Sequence, residues 1–249
     1  MVLAAGSLET ELIDVGARKI QHMREIIGAK NQALLSHRYF QMCRSSRMNR
    51  EQVLDVLKQV YCFSRCFERL LTRRVTEYGN GRDERVLAIA RGHLRNEIGH
   101  VDLFRQCLLE NGVSQAELNR LAPKMFTKAM FGYLTATILH ENEYVTNVAM
   151  MQVMESIGYH FFKETLAIMQ LQGMQAEAFA QHAEDDERHL EEGYELIGQF
   201  DKETTETTLG VVTDLYRLME FMLDEWLGVY PTSAGQARRR RSTRPPRSN

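Results

Sequence analysis

The sequence predicts an all-α protein, a single-domain bundle of about seven helices. Three observations carry this expectation. Only 4 of the 249 residues are proline, and Pro123 is the only one before Pro231, so helix breakers are scarce. Apolar residues recur at spacings of three and four over long runs, and no stretch of useful length shows the two-residue alternation of a half-buried strand. The chain is 44% hydrophobic and 26% charged, which is ordinary for a globular protein long enough to bury one large core.

The elements follow from caps and breakers. A first helix is expected over about 8–27, with Ser7 as its cap, Glu9 and Glu11 in its positive first turn, and Gly28 interrupting it. A second covers about 31–44. Asn49 caps a long third helix reaching about residue 78, where Gly79, Asn80 and Gly81 punctuate. The fourth is read as one helix over 83–111, stopped by Gly112. Ser114 opens a short segment that Pro123 breaks. A helix or pair of helices then covers about 124–172 up to Gly173, another about 176–198, and a last one about 202–230 before Pro231. The folded domain is thus expected to span 1–231. The tail, 232–249, holds Arg238, Arg239, Arg240, Arg241, Arg244 and Arg247 and no acid, and reads as disordered.

Charge and cysteine content exclude several classes. Setting the six tail arginines aside leaves 25 basic against 33 acidic residues, and a body that acidic does not attract nucleic acid through its general field. No apolar run approaches the ~20 residues of a membrane span, so no membrane role is expected. Cys43, Cys62, Cys66 and Cys107 form no CxxC pair, which fits reduced thiols in a cytoplasmic protein.

The informative residues are the polar ones on stripes that ought to be apolar. One stripe of the fourth helix reads Val86, Ala90, His93, Glu97, His100, Phe104, Cys107. Near the end of the chain another reads Phe179, His182, Asp186, His189, Gly193, Leu196. Both contain His-x3-carboxylate-x2-His, a pattern this composition yields about 0.03 times by chance. Between them Glu155 interrupts the row Val148, Met151, Glu155, Gly158, Phe162, Thr165, Met169. Buried carboxylates cost several kcal/mol each, on the order of 3–5, unless compensated. A cation compensates them, and carboxylate oxygens with imidazoles suit iron or manganese. So many ligands exceed one four-coordinate zinc site and suit two ions with a shared carboxylate. The competing reading is a pair of buried ion-pair networks, with protonated histidines answering the acids.

At these residues the chain resembles the haem-oxygenase-like di-iron oxidases and oxygenases. The segments are "NEIGHVDLF" with Glu97 and His100, "MQVMESIGYHFF" with Glu155, and "HAEDDERH" with His182, Asp186 and His189. The stretch from His37 to Phe67 is similar to the N-terminal helices of the thiaminase-like and pyrroloquinoline-quinone-synthase-like branches. The resemblance implies a metal ligand set of Glu97, His100, Glu155, His182, Asp186 and His189, with Glu155 bridging. It implies two Fe(II) per chain and O2 as co-substrate, with an external reductant. His93 is left over and is read first as a partner orienting a ligand, with an alternative ligand or a satisfied core histidine as other roles. Asp185 is the fallback for Asp186, and Glu141 and Glu143 are the alternatives to Glu155. The fold is compatible with a homodimer.

The implied activity is that of an oxygen-dependent oxidoreductase of specialised metabolism. It would act on a small amino-acid-type substrate by C–H abstraction with C–C cleavage, or by N-oxygenation. A fatty-acid-oxidising enzyme and a non-catalytic metal-binding or structural bundle are the alternatives. Arg91, Arg95, Arg105, Lys163 and Arg188 lie on ligand-bearing helices as anchors for a carboxylate, each reading first as a solvated charge. Met150, Met151, Met154, Phe161 and Phe162 suit a dry pocket wall or plain core. Haem would need a proximal histidine such as His22 or His37. A thiaminase-like reaction would need Cys107 as nucleophile.

Overall fold

The computed structural model describes residues 3–79 and 83–229, apart from the side chains of 3–14 and 185–188. The Arg-rich tail lies outside the described residues. All regular elements among the described residues are helical. They are α1 (Leu3–Leu35), α2 (Arg38–Arg44), α3 (Arg50–Tyr78), α4 (Glu84–Glu97), α5 (His100–Glu110), α6 (Gln115–Leu118), α7 (Met125–His140), α8 (Glu143–Asn147), α9 (Glu155–Leu171), α10 (Glu177–His189), α11 (Tyr194–Ile197) and α12 (Lys202–Trp226). Between α8 and α9 the chain forms a π-helical segment, Val148–Met154, every residue of which is buried.

Several boundaries differ from the sequence expectation, each for a physical reason. α1 runs through Gly28, where the added flexibility costs about 1 kcal/mol and the packing of Met23, Ile27 and Leu34 in the core holds the helix. The second helix therefore begins only at Arg38, where His37 accepts from the Tyr39 amide as its cap. The expected fourth helix is two helices, because Gly99 adopts φ 99° between them. The expected 124–172 run breaks at Glu141 and Asn142, and Asn142 caps α8. The expected 176–198 helix stops at His189 and resumes as α11 after Gly193 at φ 85°.

α3 is an uninterrupted helix of 29 residues. Its start is a full capping box, with Asn49 accepting from the Gln52 amide at 2.9 Å and Gln52 accepting from the Asn49 amide at 3.0 Å. α4, α5 and α7 pack along it, while α10 packs chiefly on α9 and α12 lies against α7 and the π segment. The start of α7 is capped from outside: the Glu225 carboxylate of α12 accepts from the amides of Met125 and Phe126 at 3.0 and 2.9 Å. That contact pins the end of α12, and hence Trp226, against the bundle.

Candidate metal centre

Four helices meet at the expected polar stripes. α4 supplies His93 and Glu97, α5 supplies His100, α9 supplies Glu155, and α10 supplies His182 and His189. Each of these six side chains is buried. Their donor atoms form two groups, each with all its atoms within 4.8 Å of one another: His93, Glu97, Glu155 and His189, and Glu97, His100 and His182. Glu97 belongs to both. Glu155, expected as the bridge, belongs to the first group alone. Asp186, and its fallback Asp185, have side chains outside the described residues. Glu141 and Glu143 belong to neither group.

The ligand helices are irregular where the candidate ligands sit. Glu97 is the last residue of α4 and His100 the first of α5, on either side of the Gly99 turn. Glu155 comes directly after the π segment, and such segments, frequent at functional sites, add a residue to the turn and re-aim the side chains beyond it. His189 ends α10. Gln152, from within the π segment, donates to the carbonyl of Glu192 and ties down the turn beyond His189.

The contacts within the cluster are close. His100 Nδ1 lies 3.0 Å from Glu97 Oε2, and His189 Nδ1 lies 3.1 Å from Glu155 Oε2. His93 Nε2 lies 2.8 Å from Glu155 Oε1, but off the line of a hydrogen bond. His182 stacks on Phe162 at 4.4 Å and on Phe104 at 4.8 Å, which fixes its ring plane. Burial alone would raise the Glu155 carboxyl. The His93 and His189 rings outweigh that and hold it well below the usual carboxylate range. Burial lowers His189, and its bond to Glu155 more than reverses this, so its pKa is raised.

These pairings let protonated histidine answer Glu155 without a metal. They answer only one oxygen of Glu97, Oε2, which meets His100. Its Oε1 is buried with no hydrogen-bond partner among the described residues, an arrangement that costs about 1–3 kcal/mol or more for a charged group. An ion beside this oxygen removes that cost. Carboxylate and imidazole donors fit divalent iron or manganese, so the residues present fit a metal pair.

A cavity of about 70 Å³ opens beside the cluster. Glu97, Glu155 and His182 form one part of its wall, and Phe63, Phe67, Phe161, Phe162, Met154, Met219, Met222 and Trp226 form most of the rest, with Ser64 the other polar residue. Met150 and Met151 are buried but are not part of this wall. Neither are Arg91, Arg95, Arg105 or Lys163, and the Arg188 side chain lies outside the described residues.

The other sequence candidates sit elsewhere. His22 is exposed, and His37 caps α2 and contacts Asp224 at 3.2 Å. Cys107 points at the carbonyl of Gln175, and burial pushes its thiol up to about 11, the reverse of an activated nucleophile. Sequence reasoning missed Arg74, Asn147 and Asn96. Arg74 is fully buried, with Nη1 3.3 Å from His93 Nδ1 and Nη2 donating to Asn147 Oδ1 at 2.7 Å. Asn96 Nδ2 lies 2.9 Å from His189 Nε2. A signal for Arg74 was available: it interrupts the apolar stripe Phe67, Leu71, Arg74, Tyr78 of α3.

The architecture is a haem-oxygenase-like helical bundle, and solved structures share it across most of the chain. A TenA homologue from Pseudomonas syringae matches with a TM-score of 0.66 at 12% identity, covering 84% of this chain and 92% of its own. A domain of unknown function with a haem-oxygenase-like fold from Shewanella denitrificans matches with a TM-score of 0.67 at 15% identity, covering 86% and 95%. A CADD-like protein of unknown function from Nostoc punctiforme matches with a TM-score of 0.67 at 14% identity, covering 85% and 98%. No family model and no curated protein sequence matches the chain. Likeness at these identities defines the fold, and the site must be argued from its own residues.

Proposed function

We propose that the protein is a non-haem di-iron, O2-dependent oxidoreductase. The observation that supports this best is the buried Glu97 carboxylate, shared by two groups of candidate ligands and left with an unanswered oxygen. Glu97, Glu155 and His189 would hold one ferrous ion. Glu97, His100 and His182 would hold the other, with Asp186 completing the set. When bound, such a pair supplies dioxygen activation and the removal of hydrogen from an unactivated carbon.

The chain's own residues do the rest. The aromatic and methionine wall excludes water from the cluster. Glu97, Glu155 and His182 face the cavity, so a substrate seated there meets the ligand wall at one side and apolar surface elsewhere. That wall favours a substrate with an extended apolar part over the amino-acid-type substrate the sequence suggested, because apolar side chains form most of it. The fatty-acid-oxidising alternative is therefore the better substrate reading. Reducing equivalents would come from an external donor.

Anaerobic reconstitution with ferrous ion and then measurement of oxygen uptake tests the proposal. Uptake should require the iron and disappear in His189→Ala while far-ultraviolet helicity persists. Unchanged uptake in that variant would refute the site.

A further inference from the structure

The cysteines divide into two kinds. The Cys43 and Cys107 thiols each meet an acceptor, the Met48 sulfur at 3.6 Å and the Gln175 carbonyl at 3.3 Å. The thiols of Cys62 and Cys66 have no hydrogen-bond partner among the described residues. They stand one turn apart on α3, and both line a second cavity of about 180 Å³, larger than the one beside the cluster. Arg65 and Arg69 line it from the same helix, and Leu121, Ala122 and Pro123 line it from the connection between α6 and α7. That connection is held from α3. Gln59 accepts from the Lys124 amide at 2.9 Å and donates to the Ala122 carbonyl at 3.5 Å, and Pro123 fixes the backbone between them. The cavity is therefore preformed.

Its charge suits an anion. Arg65 and Arg69 are four residues apart, and like charges at that spacing destabilise a helix. No carboxylate pairs with either among the described residues. Arg24, Arg44 and Arg73, by contrast, are each answered by a glutamate. Two forked donors beside an open cavity are matched by carboxylates.

The two thiols differ in exposure. Cys62 is 2% exposed. Burial pushes its thiol up to about 11, with Arg65 pulling the other way, so Cys62 stays protonated at neutral pH. Cys66 is only half-buried. The thiolate, not the thiol, attacks a disulfide. Attack therefore falls to Cys66, and Cys62 is unable to displace the product.

We propose that this cavity is a thiol-modification site, in which Arg65 and Arg69 dock the carboxylates of a low-molecular-mass disulfide of the glutathione disulfide class and Cys66 takes up half of it. The Cys66 thiolate attacks one sulfur of the bound disulfide. A new S–S bond forms to Cys66, the small molecule's own S–S bond breaks, and the departing thiolate takes the proton that Cys66 released. The disulfide is the oxidant, and its second half leaves reduced. The adduct stands on the stretch of α3 that also gives Phe63 and Phe67 to the apolar cavity. The site does not depend on the metal reading.

Timed reaction of the full chain with glutathione disulfide, or with the uncharged disulfide of mercaptoethanol, tests it by peptide mass spectrometry. Cys66 should carry the glutathionyl adduct well ahead of Cys43, Cys62 and Cys107. Arg65→Gln combined with Arg69→Gln should slow that labelling about tenfold through the lost charge-assisted contacts, and slow the uncharged reagent far less. Added salt should slow glutathione disulfide alone in the wild type. Both arginines are exposed, so far-ultraviolet helicity should persist in the double variant, and the wild-type salt series decides if it does not. Absent or unselective labelling of Cys66, a Cys62–Cys66 disulfide in place of the adduct, equal slowing of both reagents, or a salt-independent rate overturns the proposal.

Discussion

α3 and the ligand-bearing helices are built on opposite plans. α3 runs 29 residues without interruption from a complete capping box. The helices that carry the candidate ligands are broken at Gly99, swollen into a π segment before Glu155, and stopped at His189. Regular helices repeat one geometry, and their polar residues on inner faces would point at whatever apolar surface the repeat dictates. Each irregularity re-aims one side chain. The uninterrupted helix supplies the fixed reference, and the broken ones supply convergence.

The largest expected effect falls on the shared candidate ligand. Glu97→Gln should weaken metal binding by more than ~100-fold, beyond what loss of an outer-shell partner costs, as read by equilibrium competition with a chelator. The same change should raise the stability of the metal-free protein by about 1 kcal/mol, because it replaces a buried charge with an unanswered oxygen by a neutral amide. Opposite signs in the two measurements would separate a ligand from a structural ion pair. A structural pair would lose stability in the metal-free state.

Next come the glycines that break the ligand helices. Gly193→Ala should cost about 2 kcal/mol or more in chemical denaturation. It places a side chain at φ 85° and a Cβ against Asn147, adding a clash to the ~1–2 kcal/mol of left-handed backbone. Gly99→Ala has φ 99° and nothing within 4 Å of its Cβ, so only the backbone cost of about 1–2 kcal/mol applies. Equal losses at the two positions would contradict the role given to the Asn147 contact.

On the regular helix, Asn49→Ala should cost about 1 kcal/mol through the lost cap and leave metal affinity unchanged. A parallel loss of metal affinity would mean that α3 is not an independent reference.

The smallest effect lies at the surface. Asp83 caps α4, and its bonds to Arg85 and Tyr144 hold its carboxyl well below the usual carboxylate range. A depressed value contributes stability above the ordinary carboxylate pKa and loses it as pH falls through the depressed one. The denaturation midpoint of Asp83→Asn should therefore lie below wild type near neutral pH and approach it in acid. A gap that is constant with pH would show that the charge is immaterial.

The sequence pointed to which donor residues lie together better than to the geometry that brings them there. The repeated His-x3-carboxylate-x2-His spacing exposes Glu97, His100, His182 and His189 because a regular helix places such residues on one face. It does not expose the Gly99 break, since a glycine within a helical pattern is also compatible with an uninterrupted helix, as Gly28 shows. The π segment is equally silent, because Val148–Met154 is apolar under either winding. Arg74 was legible only as an oddity on an apolar stripe. Its partner lies on another helix, and a periodic pattern carries no information about which faces meet. The same limit hid the cavity: Met219, Met222 and Trp226 read as plain core until α12 is docked beside the ligands.

The most direct measurement is an anomalous difference map at the iron edge from crystals of the full chain soaked anaerobically with ferrous ion. Two peaks flanking the Glu97 carboxylate, one toward Glu155 and His189 and the other toward His100 and His182, are the predicted result. A cluster without anomalous density, its carboxylates and imidazoles bonded only to each other, would contradict it.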